Sequence, residues 1–452
     1  MKRTYIAAFS ILALLVGAAL LPGQRSGITG TIVTGEKPVI AVTDMHGSGA
    51  AEQYMDAFNR TLQQELEYSG QIVLAPKTSY PLELPQQPSD FKPPALFSGW
   101  SRPPVSANYL AFGYTAVQDD QILLYGNLLN LGQPDVQSAT IIGMRRYYGA
   151  LNNDGAKKVA REFAADILKQ LGIATLSGTK IYFVSDRSTK AVGSAEIWSM
   201  DYDGSNQRQL TNYGTSSREP AVSADGKLFA FRTLASGPAW KLRVHTTDTV
   251  RNQVFSNPTT SMIQTPEFTP DGTHILFSET IDGWPQLVIA DVDGGGHHRI
   301  SNVKAIETSP KVNPKTGSDL LFISGRSGHQ QLWRMNVDGT DREMLTTGEG
   351  DVANPAWSPD GHHIAFCWTR GYEPGNFNIF IMDIADKVPV QLTSNNGRNE
   401  NPWWAPDGVH VVFSSMRGRV TQIYTMLADG TNIRQLTTQG NNTQPVWAKG
   451  IE

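Results

Sequence analysis

Six prolines recur along the C-terminal part of this chain at nearly equal steps. They are Pro220, Pro266, Pro310, Pro355, Pro402 and Pro445, separated by 46, 44, 45, 47 and 43 residues. Each but the last opens a short run that ends in a turn: SADG (223–226), TPDG (269–272), NPKTG (313–317), SPDG (358–361) and APDG (405–408). An apolar strand pattern follows each turn (LFAFR, HILFS, DLLFIS, HIAFCW, HVVFSS). A third run comes next (KLRVHT, QLVIAD, QLWRMN, NIFIMD, QIYTML), then a polar turn and a fourth short run. Four strands in a period of about 45 residues are the signature of a β-propeller blade. One such blade cannot cover both of its faces, so neighbours must stack. The repeats begin at Lys180 with IYFVSD, which matches a second strand, and finish at 445 with PVWAKG, which matches a first. Closure of the last strand onto the first blade predicts a ring of six.

The repeated phrase NPAWSPDGHHIAF (354–366) contains acidic and imidazole side chains, so it is tested for chemistry. Pro fixes φ, Asp bonds its own backbone and Gly tolerates positive φ, so a turn alone explains Pro-Asp-Gly. Asp201–Tyr202–Asp203–Gly204 and Asp291–Val292–Asp293–Gly294 resemble the start of a calcium loop, but the later oxygen ligands and bidentate Glu are missing. His274, His363 and His410 open the second strands of three blades. Only first strands approach a propeller axis, so these residues are not expected to converge on a metal. No GxSxG elbow, Walker loop or dinucleotide fingerprint occurs, and Gly325–Arg326–Ser327–Gly328 lacks the elbow spacing. Cys367, the one cysteine, lies in the apolar run IAFCW and is expected to be buried. No catalytic set, metal site or cofactor is expected.

The N-terminal part has a different texture. Lys2 and Arg3 precede an uncharged apolar run from Ile6 to Leu21, the pattern of a Sec-type signal peptide, with a retained N-terminal anchor as the competing reading. Cleavage near Gly17–Ala19 and near Ser26–Gly27 both remain open. Residues 38–172 mix strands with two amphipathic helices. Tyr54, Phe58, Leu62 and Leu66 mark the first, and Val159, Phe163, Ile167 and Leu171 the second, capped by Asn153 or Asp154. Residues 76–104 hold eight prolines and are expected to be loop. The expected organisation is therefore an α+β two-domain protein. It comprises a signal peptide (1–26), a tail (27–37), an N-terminal α/β domain (38–172), a linker (173–179) and a six-bladed β-propeller of WD40-like repeats (180–450).

Charge narrows the partners. Net charge is −4 with both signs scattered, which argues against nucleic acid and polybasic membrane contact. No later segment approaches the length of a membrane span, so the mature chain is expected to be soluble, and a monomer.

A leader, an α/β domain and six PxWSPDG-type blades in that order resemble the TolB family. The resemblance rests on LEYSGQIVLA, LPQQP, ANYLAFGYT and DDQILLYGNLLN in the first domain, and on EIWSMDYDGSNQRQLT and NPAWSPDGHHIAF in the propeller. It implies a non-enzymatic periplasmic component of the Tol–Pal system, which maintains outer-membrane integrity and constriction during division. It implies two partners, a Pal-like peptidoglycan-associated lipoprotein at one mouth of the propeller and a TolA-like protein on the N-terminal tail. Carried onto this chain, the Pal surface is expected in the loops entering the first strands: Arg218, Glu219, Gln264, Thr265, Thr308, Ser309, Asn354, Asn399, Glu400, Asn401, Thr443 and Gln444. The tail contact is expected at Ile28, Thr29, Thr31, Ile32 and Val33, although this stretch is short and rich in Gly and Thr. The alternatives are a glycan- or peptidoglycan-binding propeller and a propeller-fold hydrolase or lyase. The chain ends at Glu452 without a hydrolase domain, which counts against the peptidase form.

Overall fold

The computed structural model describes residues 36–450 apart from 93–96, 190, 259–261 and 395–396. The leader and the tail positions Ile28, Thr29, Thr31, Ile32 and Val33 lie outside the described residues.

The N-terminal region is built on one sheet. Its strands are β1 (Val39–Val42), β2 (His46–Gly47), β3 (Val73–Leu74), β4 (Tyr109–Gln118), β5 (Gln121–Asn130) and β6 (Thr140–Ala150). They run in the order β3-β1-β4-β5-β6, with β2 beside β4. Asp119 and Asp120 join β4 to β5 with φ of 50° and 56°, the two positive values that a type I′ hairpin needs. Helices α1 (Met55–Tyr68) and α2 (Asn153–Gln170) cover one face, burying Phe58, Leu62 and Leu66 with Val159, Phe163 and Ile167. The α2 cap is Asn152, whose side chain accepts from the Gly155 N–H at 2.8 Å, one residue earlier than the nearer expected cap. The proline-rich segment closes the other face of the sheet, where Phe97, Trp100 and Val105 pack on Leu110, Phe112 and Leu129.

Six four-stranded sheets form the propeller. Blades 1 to 6 have inner strands Ser217–Val222, Ile263–Phe268, Glu307–Val312, Val352–Trp357, Arg398–Trp404 and Asn442–Ala448. The last of these pairs with Lys180–Ser185, so the C-terminal strand closes the ring as the repeat phase predicts. Each second strand buries a phenylalanine completely: Phe183, Phe231, Phe277, Phe322, Phe366 and Phe413. Burying one such ring stabilises the fold by roughly 2 kcal/mol, and it can be buried only between blades.

The end of α1 fastens the first region to the propeller. His410 Nε2 meets the Tyr68 carbonyl at 2.7 Å, and Tyr68 donates its hydroxyl to Thr425 Oγ1 at 3.1 Å. Arg161 of α2 bridges Glu65 and Asp203, while Tyr202 donates to Glu65. Burial raises the Glu65 carboxyl above its ordinary range, against the opposing pull of Tyr202 and Arg161. His410 opens a second strand, and Tyr202 and Asp203 follow a third, the strand ends on the side of the Asp-Gly turns, so the first region docks on that side. No helix among the described residues is long and apolar enough to cross a membrane.

Candidate functional site

The inner strands are straight except at one point. In every blade the register with the second strand jumps across the proline, for instance between Arg218 and Ala221 and between Gln264 and Glu267. Proline cannot donate to the ladder, and a bulge removes it from pairing. The prolines therefore sit inside the strands, and the residues expected in entry loops are strand residues as well. The residue before each proline is left-handed: Glu219, Thr265, Ser309, Asn354, Asn401 and Gln444 have φ between 50° and 56°. Such a backbone costs a non-glycine residue about 1 kcal/mol, so the ring that repeats it six times must hold it in place.

These six residues and five of their prolines, all but Pro310, line one small cavity of about 90 Å³ on the axis, the first mouth. Neighbouring blades are stitched there. Gln444 Oε1 accepts from the Glu219 N–H at 2.9 Å, Glu219 Oε2 from the Thr265 N–H at 2.6 Å, and Thr265 Oγ1 from the Ser309 N–H at 3.1 Å. Asn354 and Asn401 instead accept from Cys367 and Ser414 of their own blades. Arg218 and Thr443 line a separate recess between blades 6 and 1. Gln264 and Thr308 are half-buried beside the ring, Glu400 pairs with Arg398 at 2.6 Å, and Asn399 is fully buried against Asn378.

Below the prolines the channel changes character. Lys311 binds Glu267 at 2.6 Å and reaches across to lie 4.2 Å from the centre of the Trp403 ring. Burial raises the Glu267 carboxyl, and the adjacent Lys311 ammonium counters that rise. Lys311 and Trp403 line both the first mouth and a second cavity of about 330 Å³, so they form the constriction between the two. Beyond them Val222, Phe268, Val312, Trp357, Trp404 and Trp447 supply one apolar residue per blade around the second mouth. The first mouth thus sets six polar side chains among prolines, and the second is ringed by valines and aromatics. The channel-crossing Lys311 is absent from the sequence-based site, because its neighbours come from blades 2 and 5. A second unanticipated feature stands at the ends of three second strands. Arg187, Arg326 and Arg417 lie over Trp198, Trp333 and Tyr424 at 4.7, 4.9 and 4.1 Å, each with Nε directed at the serine two residues before it. The strings SDR, SGR and SMR are the signal that carries it.

Histidines and carboxylates do not gather. Asp360 and Asp407 bond His363 and His410 within their own turns, and no metal-holding group of His, Cys, Asp and Glu occurs among the described residues.

Comparison with known proteins agrees with this architecture. The family described as the TolB beta propeller domain (PD40) matches residues 169–367 and 340–450. A protein TolB homolog of Chlorobium chlorochromatii is 31% identical over 293 residues, covering 63% of this chain and 52% of the relative. One from Chlorobium luteolum is 27% identical over 232 residues, covering 51% of this chain and 40% of the relative. The chain thus spans about half the length, or less, of these curated relatives. The crystal structure of TolB from Acinetobacter baumannii superposes with a TM-score of 0.71 at 20% identity, over 92% of this chain and 97% of that one, which is a likeness of fold. With the family matched across the whole ring of blades, the chain belongs to the TolB β-propeller family.

Proposed function

We propose that this protein is a non-enzymatic periplasmic component of the Tol–Pal envelope system. It binds a Pal-like lipoprotein at the first mouth and a TolA-like protein through its N-terminal tail, and so supports outer-membrane integrity and constriction at division. Family membership favours this reading. The observation that carries it is the ring of six polar pre-proline residues lining one cavity on the axis, at the mouth opposite the docked N-terminal region. Ring and rim present polar side chains from every blade to one partner.

The test is binding of the full mature chain to the soluble domain of the organism's peptidoglycan-associated lipoprotein, by calorimetry. Glu400→Lys, beside the ring, is expected to weaken binding about tenfold, an effect of ~1.4 kcal/mol. No binding by the folded wild type would end the reading. Periplasmic fractionation of the processed chain checks the location, and deletion of residues 27–37 is expected to abolish capture of the TolA-like protein alone.

A further inference from the structure

The recess between blades 6 and 1 has Arg218 on its wall. It has a volume of about 370 Å³ and is lined by Thr189, Val192, Ser194, Arg218, Asn441 and Thr443 among others. Arg218 is half-buried, with Nε donating to Ser216 Oγ at 2.9 Å and Nη2 to the Gly193 carbonyl at 3.0 Å. Both acceptors are neutral. Among the described residues no carboxylate pairs with Arg218. The nearest candidate, Glu219, is taken: Arg232 holds it at 2.8 Å, and its other oxygen accepts from Thr265. Arg232 stands opposite Arg218 across the ladder, where a second like charge is unfavourable. Burial first, and then the Arg232 charge, lower the Arg218 pKa, and the charges of Glu219 and Asp186 raise it without offsetting them.

We infer that this recess is an anchor site for an Asp or Glu side chain of the protein seated on the first mouth, with Arg218 as its receptor. The inference rests on the reading of that mouth as a partner surface, and it names the chemistry the partner must bring. A guanidinium has five N–H donors, and two of them are used here, so the free ones suit a carboxylate. The wall beside it includes the exposed Val192, which can cover the methylene stem of the incoming side chain. The recess favours a monoanion over a phosphate. Asp186 lines the same space with its charge, bonded to the Asn441 backbone and side chain at 2.7 and 2.8 Å, and would repel a dianion more strongly. Thr443 lies next to Gln444 of the ring, so a partner on the axis reaches the recess without leaving it.

Two measurements on the full mature chain separate this inference from the function proposed above. In calorimetry with the lipoprotein domain, Arg218→Gln is expected to weaken binding about thirtyfold and Arg218→Lys less, because a lysine keeps the charge but not the fork. In the second, a capped Gly-Glu-Gly peptide is titrated while the Arg218 Nε–H is followed by NMR with labelled arginine. A saturable shift is expected with the Glu peptide, none with the Gln peptide, and none in Arg218→Gln. If the wild type binds no lipoprotein but the peptide shifts Arg218, the carboxylate site stands and the proposed partner falls. Unchanged affinity in Arg218→Gln, a peptide that leaves Arg218 unmoved, or tighter binding of a phosphoserine peptide would each overturn the inference.

Discussion

Blades 4 and 5 carry the same turn, SPDGHH (358–363) and APDGVH (405–410). In blade 4, Asp360 accepts from the His362 and His363 backbone at 2.8 and 3.1 Å and meets His363 Nδ1 at 2.6 Å. In blade 5, Asp407 repeats every contact, accepting from Val409 and His410 at 2.9 and 3.0 Å and meeting Nδ1 at 2.6 Å. The difference lies at the far nitrogen. His410 Nε2 meets the Tyr68 carbonyl, whereas His363 Nε2 is buried without a hydrogen bond, 3.7 Å from Asp383. One local motif is a turn lock in blade 4 and also a fastener between regions in blade 5. What separates them is the arrival of the α1 terminus, a fact of the tertiary fold.

Removing the imidazole from each blade sharpens this contrast most. His410→Ala strips the partner from Asp407, whose side chain is 1% exposed, and from the Tyr68 carbonyl. We expect a loss of about 3 kcal/mol, because a buried charge keeps only its two backbone N–H donors. His363→Ala leaves Asp360, whose side chain is 41% exposed and can take water instead, so the loss should stay near 1 kcal/mol. Urea denaturation of both variants measures the pair. Equal losses would show that the Tyr68 contact adds nothing.

The helix ends offer a smaller contrast of the same kind. Gly70 follows α1 with φ of 64°, and a Cβ there would stand 2.7 Å from the Leu427 side chain in blade 5. Gly172 follows α2 with φ of 73° and open space around it. Gly172→Ala should therefore cost only the left-handed backbone, about 1 kcal/mol. Gly70→Ala adds the displacement of Leu427 and should cost about 2 kcal/mol. Thermal unfolding with a probe in each region checks whether the excess falls on the joint between them.

Much of the architecture is legible because it repeats. A proline every 43 to 47 residues and a strand-turn-strand phrase behind it are visible without coordinates, and the phase of Lys180 against Pro445 foretells closure. The bulge is not. A residue before proline is expected to be extended, and Glu, Thr, Ser, Asn and Gln share no side-chain signal for positive φ. Only their common position in the ring reveals it. The Asn152 cap shows the usual slack of one residue at a helix end. The want of a direct ion pair at Arg218 is hidden for another reason: its neighbour Glu219 is the obvious partner in sequence, and only strand pairing brings Arg232 across to claim it.

The smallest expected effect is in the pH profile of the blade 4 turn. The hydrogen bond that His363 donates to Asp360 raises the His363 pKa, with the Asp360 charge and that of Asp383 adding to the rise against burial. A raised folded pKa means stability fully present below the unfolded value of about 6.5 and lost as pH climbs through the folded one. Burial would raise Asp360, but the His363 side chain and the two backbone N–H groups outweigh it and hold the carboxyl at about 2. That contribution is present above the unfolded value of about 3.8 and is lost as pH falls toward the folded one. The stability gap between wild type and His363→Asn should therefore be widest between about pH 4 and pH 6.5 and narrow on either side. Denaturation at a series of pH values reads the gap directly. A gap that keeps widening above neutral pH would mean that the neutral imidazole, rather than its ion pair with Asp360, is what holds the turn.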